Sequence, residues 1–362
     1  MNPPVRYAPD VEQPESDEAE TIQALKEQFG KILDITSKAY GHAVRSVHAK
    51  GHGLVRGIFR VADDLPPELA QGLFSSPGSY DAILRFSTNA GDILDDAIRL
   101  PRGIALKVIG VDGERLPGDT DDRTQDFIMV NGPAFAAPTP KKFLGTLKLL
   151  AATTEKAEGA KKLLSSVLRA FEAGLEAVGT RSTTLTALGG AKPVHPLGAT
   201  YFSQTAYRYG DHIAKFQLVP VYGVTDLSDE VIDAKGHPDA IREAMNHEMQ
   251  HRRGVWELRV QLCTDLDEMP VEDPTVIWDE EKSPFRTVAT LTVEPQTAWA
   301  GEKSVRTEDR LSFSPWHALA AHRPLGGINR ARKDAYAFSS GYRAKFNGCP
   351  IHEPAAIGEV TD

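Results

Sequence analysis

Cysteine is scarce in this chain: two residues, Cys263 and Cys349, lie far apart in a sequence of 362. That excludes a disulfide framework and fits a reducing, cytoplasmic setting. Positive charge is short as well. Lys and Arg total 41 against 50 Asp and Glu, a formal net charge of -9, and a general nucleic-acid binder would need a basic face. No stretch approaches the roughly 18 uninterrupted apolar residues of a membrane-spanning helix, so no integral membrane segment is expected. The opening MNPPVRYAPDVEQPESDEAE is polar and acidic, without the apolar core of a signal peptide. No short internal repeat is present.

What is there is ordinary for a soluble globular protein, 41% hydrophobic and 25% charged. The length suits two average domains or one large β-barrel with attached helices, and it can bury a core that encloses a cofactor. Residues 1–17, rich in Pro, Glu and Asp, read as a flexible arm. Residues 18–345 read as a single domain, and 346–362 as a flexible tail.

Within that domain the hydrophobic period changes along the chain. From Ala19 to Tyr40, Ile22, Leu25, Phe29, Ile32, Leu33 and Ile35 recur at mostly helical spacing, with Gly41 as a stop signal. Residues 53–63, 82–89, 102–111 and 126–132 read as strands rich in Ile, Val and Phe. A helical block over 139–178 follows, then a Gly/Pro break at 189–198. A second strand set covers 199–210, 212–224, 255–265 and 285–296, with a charged helix at 237–254 between two of them. From Trp316 the chain reads as helix again, interrupted at Pro324 and Gly326–Gly327. Strands grouped in two sets of four, not alternating with helices, predict an α+β fold: an antiparallel barrel of about eight strands with surrounding helices.

Four segments could carry chemistry, and each has a bland reading. Arg45-Ser46-Val47-His48-Ala49-Lys50-Gly51-His52 is either a surface loop or a strand edge presenting a proton-moving histidine. Arg85-Phe86-Ser87-Thr88 ends a strand; an inward-facing Arg85 would need a partner anion, and Ser87 could fix an imidazole tautomer. Asn131-Gly132-Pro133-Ala134-Phe135 is a turn signal, or a carboxamide facing a ligand beside an aromatic ring. Arg332, Tyr336 and Arg343, at i, i+4 and i+11, share one helix stripe. They read as a basic amphipathic helix, or as a phenolate favoured by a neighbouring guanidinium and able to ligate haem iron.

In this order, VHAKGHG before a strand, RFST, LPRGIALKV, Asn-x-Pro-x-Phe and a late Arg-x-x-x-Tyr resemble the catalase superfamily. IAKFQLVPV, WELRVQLCTDLDEMPVEDPTVIW and Phe313-Ser314-Pro315 extend the resemblance over about residues 40–345. It implies haem b as cofactor and a peroxide or hydroperoxide as substrate. His48 would be the distal acid–base, oriented by Ser87, with Asn131 hydrogen-bonding the peroxide. Tyr336 would be the proximal iron ligand and Arg332 would keep it ionised. Arg45, Arg85 and Arg343 would meet the propionates, and Phe135 and Phe143 would line the pocket.

The chain also departs from the family. It lacks the length of a full catalase, and Ala335-Tyr336-Ala337-Phe338 replaces the usual surroundings of the proximal tyrosine. An alternative register puts Asp122 in place of Asn131, and His317 is a backup iron ligand. These departures point to small bacterial catalase-like haem proteins, and more distantly to allene oxide synthase-type enzymes that rearrange fatty-acid hydroperoxides. Two other classes stay open: a haem sensor or carrier without turnover, and a zinc hydrolase built on His247-Glu248-Met249-Gln250-His251, an HExxH spacing without a third ligand in view. Cys349-Pro350 reads as part of the tail. Assembly into homo-oligomers is left open.

Overall fold

The runs rich in Ile, Val and Phe between turn residues build the centre of the protein as strands. The computed structural model describes residues 2–98, 100–117, 122–154 and 194–360. Nine antiparallel strands form one sheet: β1 (Gly51–Val61), β2 (Ser79–Thr88), β3 (Arg102–Ile109), β4 (Thr124–Val130), β5 (Tyr201–Phe202), β6 (Tyr207–Tyr209), β7 (His212–Tyr222), β8 (Gly254–Leu262) and β9 (Arg286–Val293). Their order is β5-β4-β3-β2-β1-β9-β8-β7-β6, and a further β5–β7 pairing closes the sheet into a barrel. The staves number eight, because β5 and β6 are two pieces of the single strand expected over 199–210, both paired with β7. The expected α+β barrel is therefore the fold.

The break in that strand has a local cause. Gln204 takes a left-handed backbone (φ 62°), uncommon for a residue with a side chain, and Ser203 and Thr205 bond to each other across it, Thr205 N–H to the Ser203 carbonyl and Ser203 Oγ to the Thr205 carbonyl.

Five α-helices are present among the described residues: α1 (Glu18–Tyr40), α2 (Pro140–Thr154), α3 (Ala240–Met249), α4 (Glu302–Arg310) and α5 (Gly327–Asn347). Helix α1 ends where expected, at Gly41 in a left-handed conformation (φ 62°). Its buried apolar stripe is Leu25, Phe29 and Leu33, whereas Ile35 falls off the stripe and is exposed. Helix α2 opens the expected block, whose remainder beyond 154 lies outside the described residues. The expected terminal helix starts only at Gly327; residues 316–326 are irregular apart from a short 3-10 turn at Ala320–His322.

The barrel interior is filled with side chains, mostly apolar. Phe127 and Phe216 rings meet edge to face with centroids 5.0 Å apart, and Phe74 stacks on Tyr209 at 5.6 Å. Leu84, Phe86, Ile104, Leu106, Phe127 and Met129 belong to this core. Their odd/even neighbours Ile83, Arg85, Ser87, Gly103 and Ala105 therefore point outward. Arg85 is thus not inward-facing, as the sequence suggested; it lies on the outer face and is buried there by α4.

The two chain ends are tied to this body. Val5 and Tyr7 donate backbone bonds to Cys263 and Asp211, and Glu12 and Glu18 both bind Arg330 of α5. At the other end, Glu353 joins Lys107, Asp126 and His317 in a buried cluster.

Candidate active site

The outer face of β1, β2 and β3, under α4 and α5, brings most of the singled-out residues together. His48 sits three residues before β1 with a left-handed backbone (φ 52°), a strained conformation of the kind stored at functional sites. Its Nδ1 lies 3.0 Å from Ser87 Oγ. Ser87 Oγ donates its only proton to the Gly103 carbonyl, 3.4 Å away. The hydroxyl must then accept from Nδ1–H, which leaves Nε2 as the bare, basic nitrogen. Burial, followed by the positive charges of Arg85, Arg332 and Arg45, pushes the His48 pKa down to about 3. The imidazole is neutral at ordinary pH.

Asn131 closes β4. Its side-chain Oδ1 accepts from the Arg102 backbone N–H at 2.7 Å, and its own N–H donates to the Arg102 carbonyl at 3.0 Å. The amide NH2 is left available as a donor. Gln204 positions this loop: its buried amide donates to the carbonyls of Gly132 (3.0 Å) and Ala134 (2.7 Å). Next to it, Thr205 donates to Asn329 Oδ1 on α5 (3.1 Å) and accepts from Arg332 (3.3 Å). The break between β5 and β6 therefore holds the Asn131 loop and α5 at once. No periodicity argument pointed to Gln204, Thr205 or Asn329.

Helix α5 carries Arg332, Tyr336 and Arg343, as the spacing required. Arg332 lies over the Phe135 ring (5.4 Å to the centroid), and Phe135 packs on Phe143 with ring centroids 5.5 Å apart. Val47 and Phe143 join the apolar cluster of α1, α2 and α5. Arg332 acts electrostatically on both His48 and Tyr207, and Tyr207 also senses Tyr336. Tyr336 is partly buried, and its hydroxyl makes no hydrogen bond among the described residues.

Arg45, Arg85 and Arg343 converge, and a carboxylate that sequence reasoning missed sits among them. Glu308 on α4 accepts from Arg85 Nε at 2.5 Å and from Arg45 at 3.2 Å. Arg45 and Arg343 also donate to the carbonyls of Glu308 and Leu311. Burial raises the Glu308 pKa, but Arg85 and Arg45 outweigh it and hold the carboxyl below its ordinary value. Burial and then repulsion from Arg85 and Arg343 push Arg45 well down, and Arg343 falls to about 10, chiefly through burial. Nε of Arg343 is buried without a hydrogen-bond partner among the described residues.

The remaining candidates lie elsewhere. His317 is not an axial ligand in reserve: its Nδ1 is 3.1 Å from Asp126 and 3.4 Å from Glu353, in the cluster centred on the Lys107 ammonium. His247 is exposed, His251 Nδ1 bonds the His247 carbonyl (2.8 Å), and Glu248 pairs with Arg252 (2.6 Å). These contacts leave the HExxH spacing without a zinc-site geometry. Asp122 precedes β4, on the far side of that strand's length from Asn131.

A catalase family profile matches residues 43–300, well over half of the chain. The chain belongs to the catalase family. Catalase A from Saccharomyces cerevisiae is structurally similar, with TM-score 0.63 and 19% identity, over 90% of this chain and 67% of that one. A fungal catalase gives 0.62 at 17% identity over 90% and 64%, and a bacterial catalase 0.61 at 18% over 98% and 66%. The chain thus spans about two thirds of these catalases, and likeness at such identity speaks for the fold. No curated protein matches in sequence. Among the described residues no helix is long and apolar enough to cross a membrane.

Several residues of this site fit the haem of the family. A haem needs cations for two carboxylates, apolar walls and an axial donor. The arginines, one with a buried N–H that has no partner among the described residues, would supply the first. Phe135, Phe143 and Val47 would supply the second, and the Tyr336 hydroxyl would supply the third.

Proposed function

We propose that this protein is a haem-dependent enzyme acting on hydrogen peroxide or an organic hydroperoxide, with His48 as the distal acid–base and Tyr336 as the iron ligand. The observation that carries the reading is the Gly103–Ser87–His48 chain, which leaves a neutral imidazole with a bare Nε2. Haem b, once bound, supplies the redox chemistry that splits the O–O bond.

The protein's own groups handle the proton. His48 Nε2 accepts it from one peroxide oxygen and returns it to the other, so that oxygen leaves as water or an alcohol. Ser87 keeps Nδ1 occupied throughout, which prevents the imidazole from turning. The Asn131 NH2 donates to the peroxide and holds it beside Nε2. Arg332 lies one turn from Tyr336 and counters the charge of the phenolate. Arg45, Arg85 and Arg343 receive the propionates.

The test is an absorption spectrum of the haem-reconstituted protein, followed by peroxide addition. A Soret band with ferric-phenolate features, and turnover that falls about 100-fold or more in His48→Ala, are expected. Failure to bind haem stoichiometrically would sink the reading, and unchanged turnover in His48→Ala would remove His48 from it. Oxygen release compared with loss of an organic hydroperoxide identifies the substrate. Haem binding without either reaction would make the protein a sensor or carrier.

A further inference from the structure

The arginine cradle holds a carboxylate of its own. Glu308 is buried, at 7% exposure, and its side chain has a built seat. A Cβ on Gly51 would lie 2.3 Å from Glu308 Oε1 and 2.9 Å from the Trp299 ring, so only glycine at that point of β1 leaves room for both. The C-terminal turn of α4 offers the Glu308 and Leu311 carbonyls to Arg45 and Arg343. One short segment therefore fixes the carboxylate and aligns two of the guanidiniums around it.

The charges do not cancel. At the Glu308 carboxylate three guanidiniums meet one anion, an excess of two positive charges in a buried place; Asp309 acts on Arg45 and Arg343 only through space and pairs with His42, and Arg343 Nε has no partner among the described residues. Buried cations without matching anions are costly. Burial lowers the Arg45 pKa most, and repulsion from Arg85 and Arg343 adds to it against the pull of Glu308 and Asp309.

Resting on the haem reading above, we propose that Glu308 is a resident counter-charge that sets the cradle to receive a dianion: it holds the three arginines together before the cofactor arrives and leaves the two charges that a porphyrin dicarboxylate neutralises. Glu308 is a positioning residue, since it acts through the arginines. It lowers attraction for carboxylates and in return keeps the empty cradle assembled.

Metal-free protoporphyrin IX and its dimethyl ester test this without iron or turnover, by fluorescence titration of the apo-protein. Wild type should prefer the diacid by about 100-fold, as expected for charge-assisted bonds to two carboxylates. Glu308→Gln should widen that preference by about tenfold and lower the apo-protein's melting temperature. The charge-balanced Arg45→Gln/Glu308→Gln double variant should return both quantities towards wild type. A preference unchanged or narrowed in a folded Glu308→Gln would overturn the proposal while leaving the haem reading intact. If Glu308→Gln does not fold, the double variant decides against Arg45→Gln alone: the same narrowed preference in both overturns the proposal, and a wild-type preference in the double supports it. Wild type that fails to distinguish diacid from ester would instead overturn the propionate assignment itself.

Discussion

A Cβ placed on Gly103 would lie 2.4 Å from His48 Cε1 and 2.5 Å from Nδ1. Strand β3 and the imidazole therefore touch, and only a hydrogen atom fits between them. Gly103→Ala should push His48 off Ser87 while leaving the barrel intact, because the added methyl faces a side chain on the outer surface of the sheet. We expect peroxide turnover to fall about 100-fold, the typical worth of a positioned acid–base, with the haem spectrum retained. Steady-state kinetics at equal haem content checks it, and full activity would mean that the Ser87 bond is dispensable.

Gln204 is the second lever. Its amide satisfies two backbone carbonyls of the Asn131 loop, and Gln204→Ala leaves both short of a donor. Unsatisfied buried acceptors cost about 1–3 kcal/mol each, so the urea midpoint should drop clearly. Peroxide KM should rise as well, because Asn131 loses its support. A normal midpoint would show that solvent replaces the amide.

Tyr336→Phe removes the only oxygen proposed for the iron. The variant should lose haem on gel filtration and lack the phenolate charge-transfer bands. A wild-type spectrum would assign the axial ligand to another residue. The fold should be unaffected, since the hydroxyl makes no bond among the described residues.

Stability should decline on the acid side. Burial pushes His322 down to about 3, His195 to about 4 and His52 well below its ordinary value. Below pH 6.5 the unfolded chain binds protons at these positions and the folded one does not. Stability therefore falls as the pH drops from 6.5 towards 4, by about 1.4 kcal/mol per pH unit for each such histidine. Glu353, held to about 2 because Lys107 and His317 together outweigh its burial, adds to the loss below its unfolded pKa. His48 stays neutral over the same range, so turnover per folded molecule should be flat while urea-unfolding free energy drops. A bell-shaped profile centred on an acidic limb near pH 6 would contradict the neutral His48.

Much of this was legible in the sequence, and the rest follows a physical pattern. The long strands β1, β2, β7 and β8 are rich in β-branched and aromatic residues between turn signals, so they were visible before any contact was known. The break at Gln204 was not, because the left-handed glutamine reaches the Gly132 and Ala134 carbonyls in the loop after the neighbouring strand β4, a contact no local pattern shows. The Arg332–Tyr336–Arg343 stripe could be read because its members share a helix, and His48 and Ser87 because the catalase resemblance paired them. Glu308 could not: EKSVRTEDR is charged throughout and looks like a solvated helix. Only the fold reveals that this carboxylate turns inward against three arginines. Gly103 lies inside the LPRGIALKV stretch, yet its reason, the closeness of His48, is a distance between two segments.

The way the barrel closes bears on how the protein is made. Strand β1 has β9 as one of its two neighbours, and β4 is joined to the second half through β5. During synthesis β1 therefore waits, one edge open, until residues 286–293 have left the ribosome, and such long-range pairings form slowly. Helix α5, with Tyr336 and Arg343, emerges later still. The two walls of the proposed haem pocket come from opposite ends of the chain, so cofactor loading is a late step in biogenesis, and a truncated product ending before α5 would expose an unguarded barrel face in place of a partial enzyme.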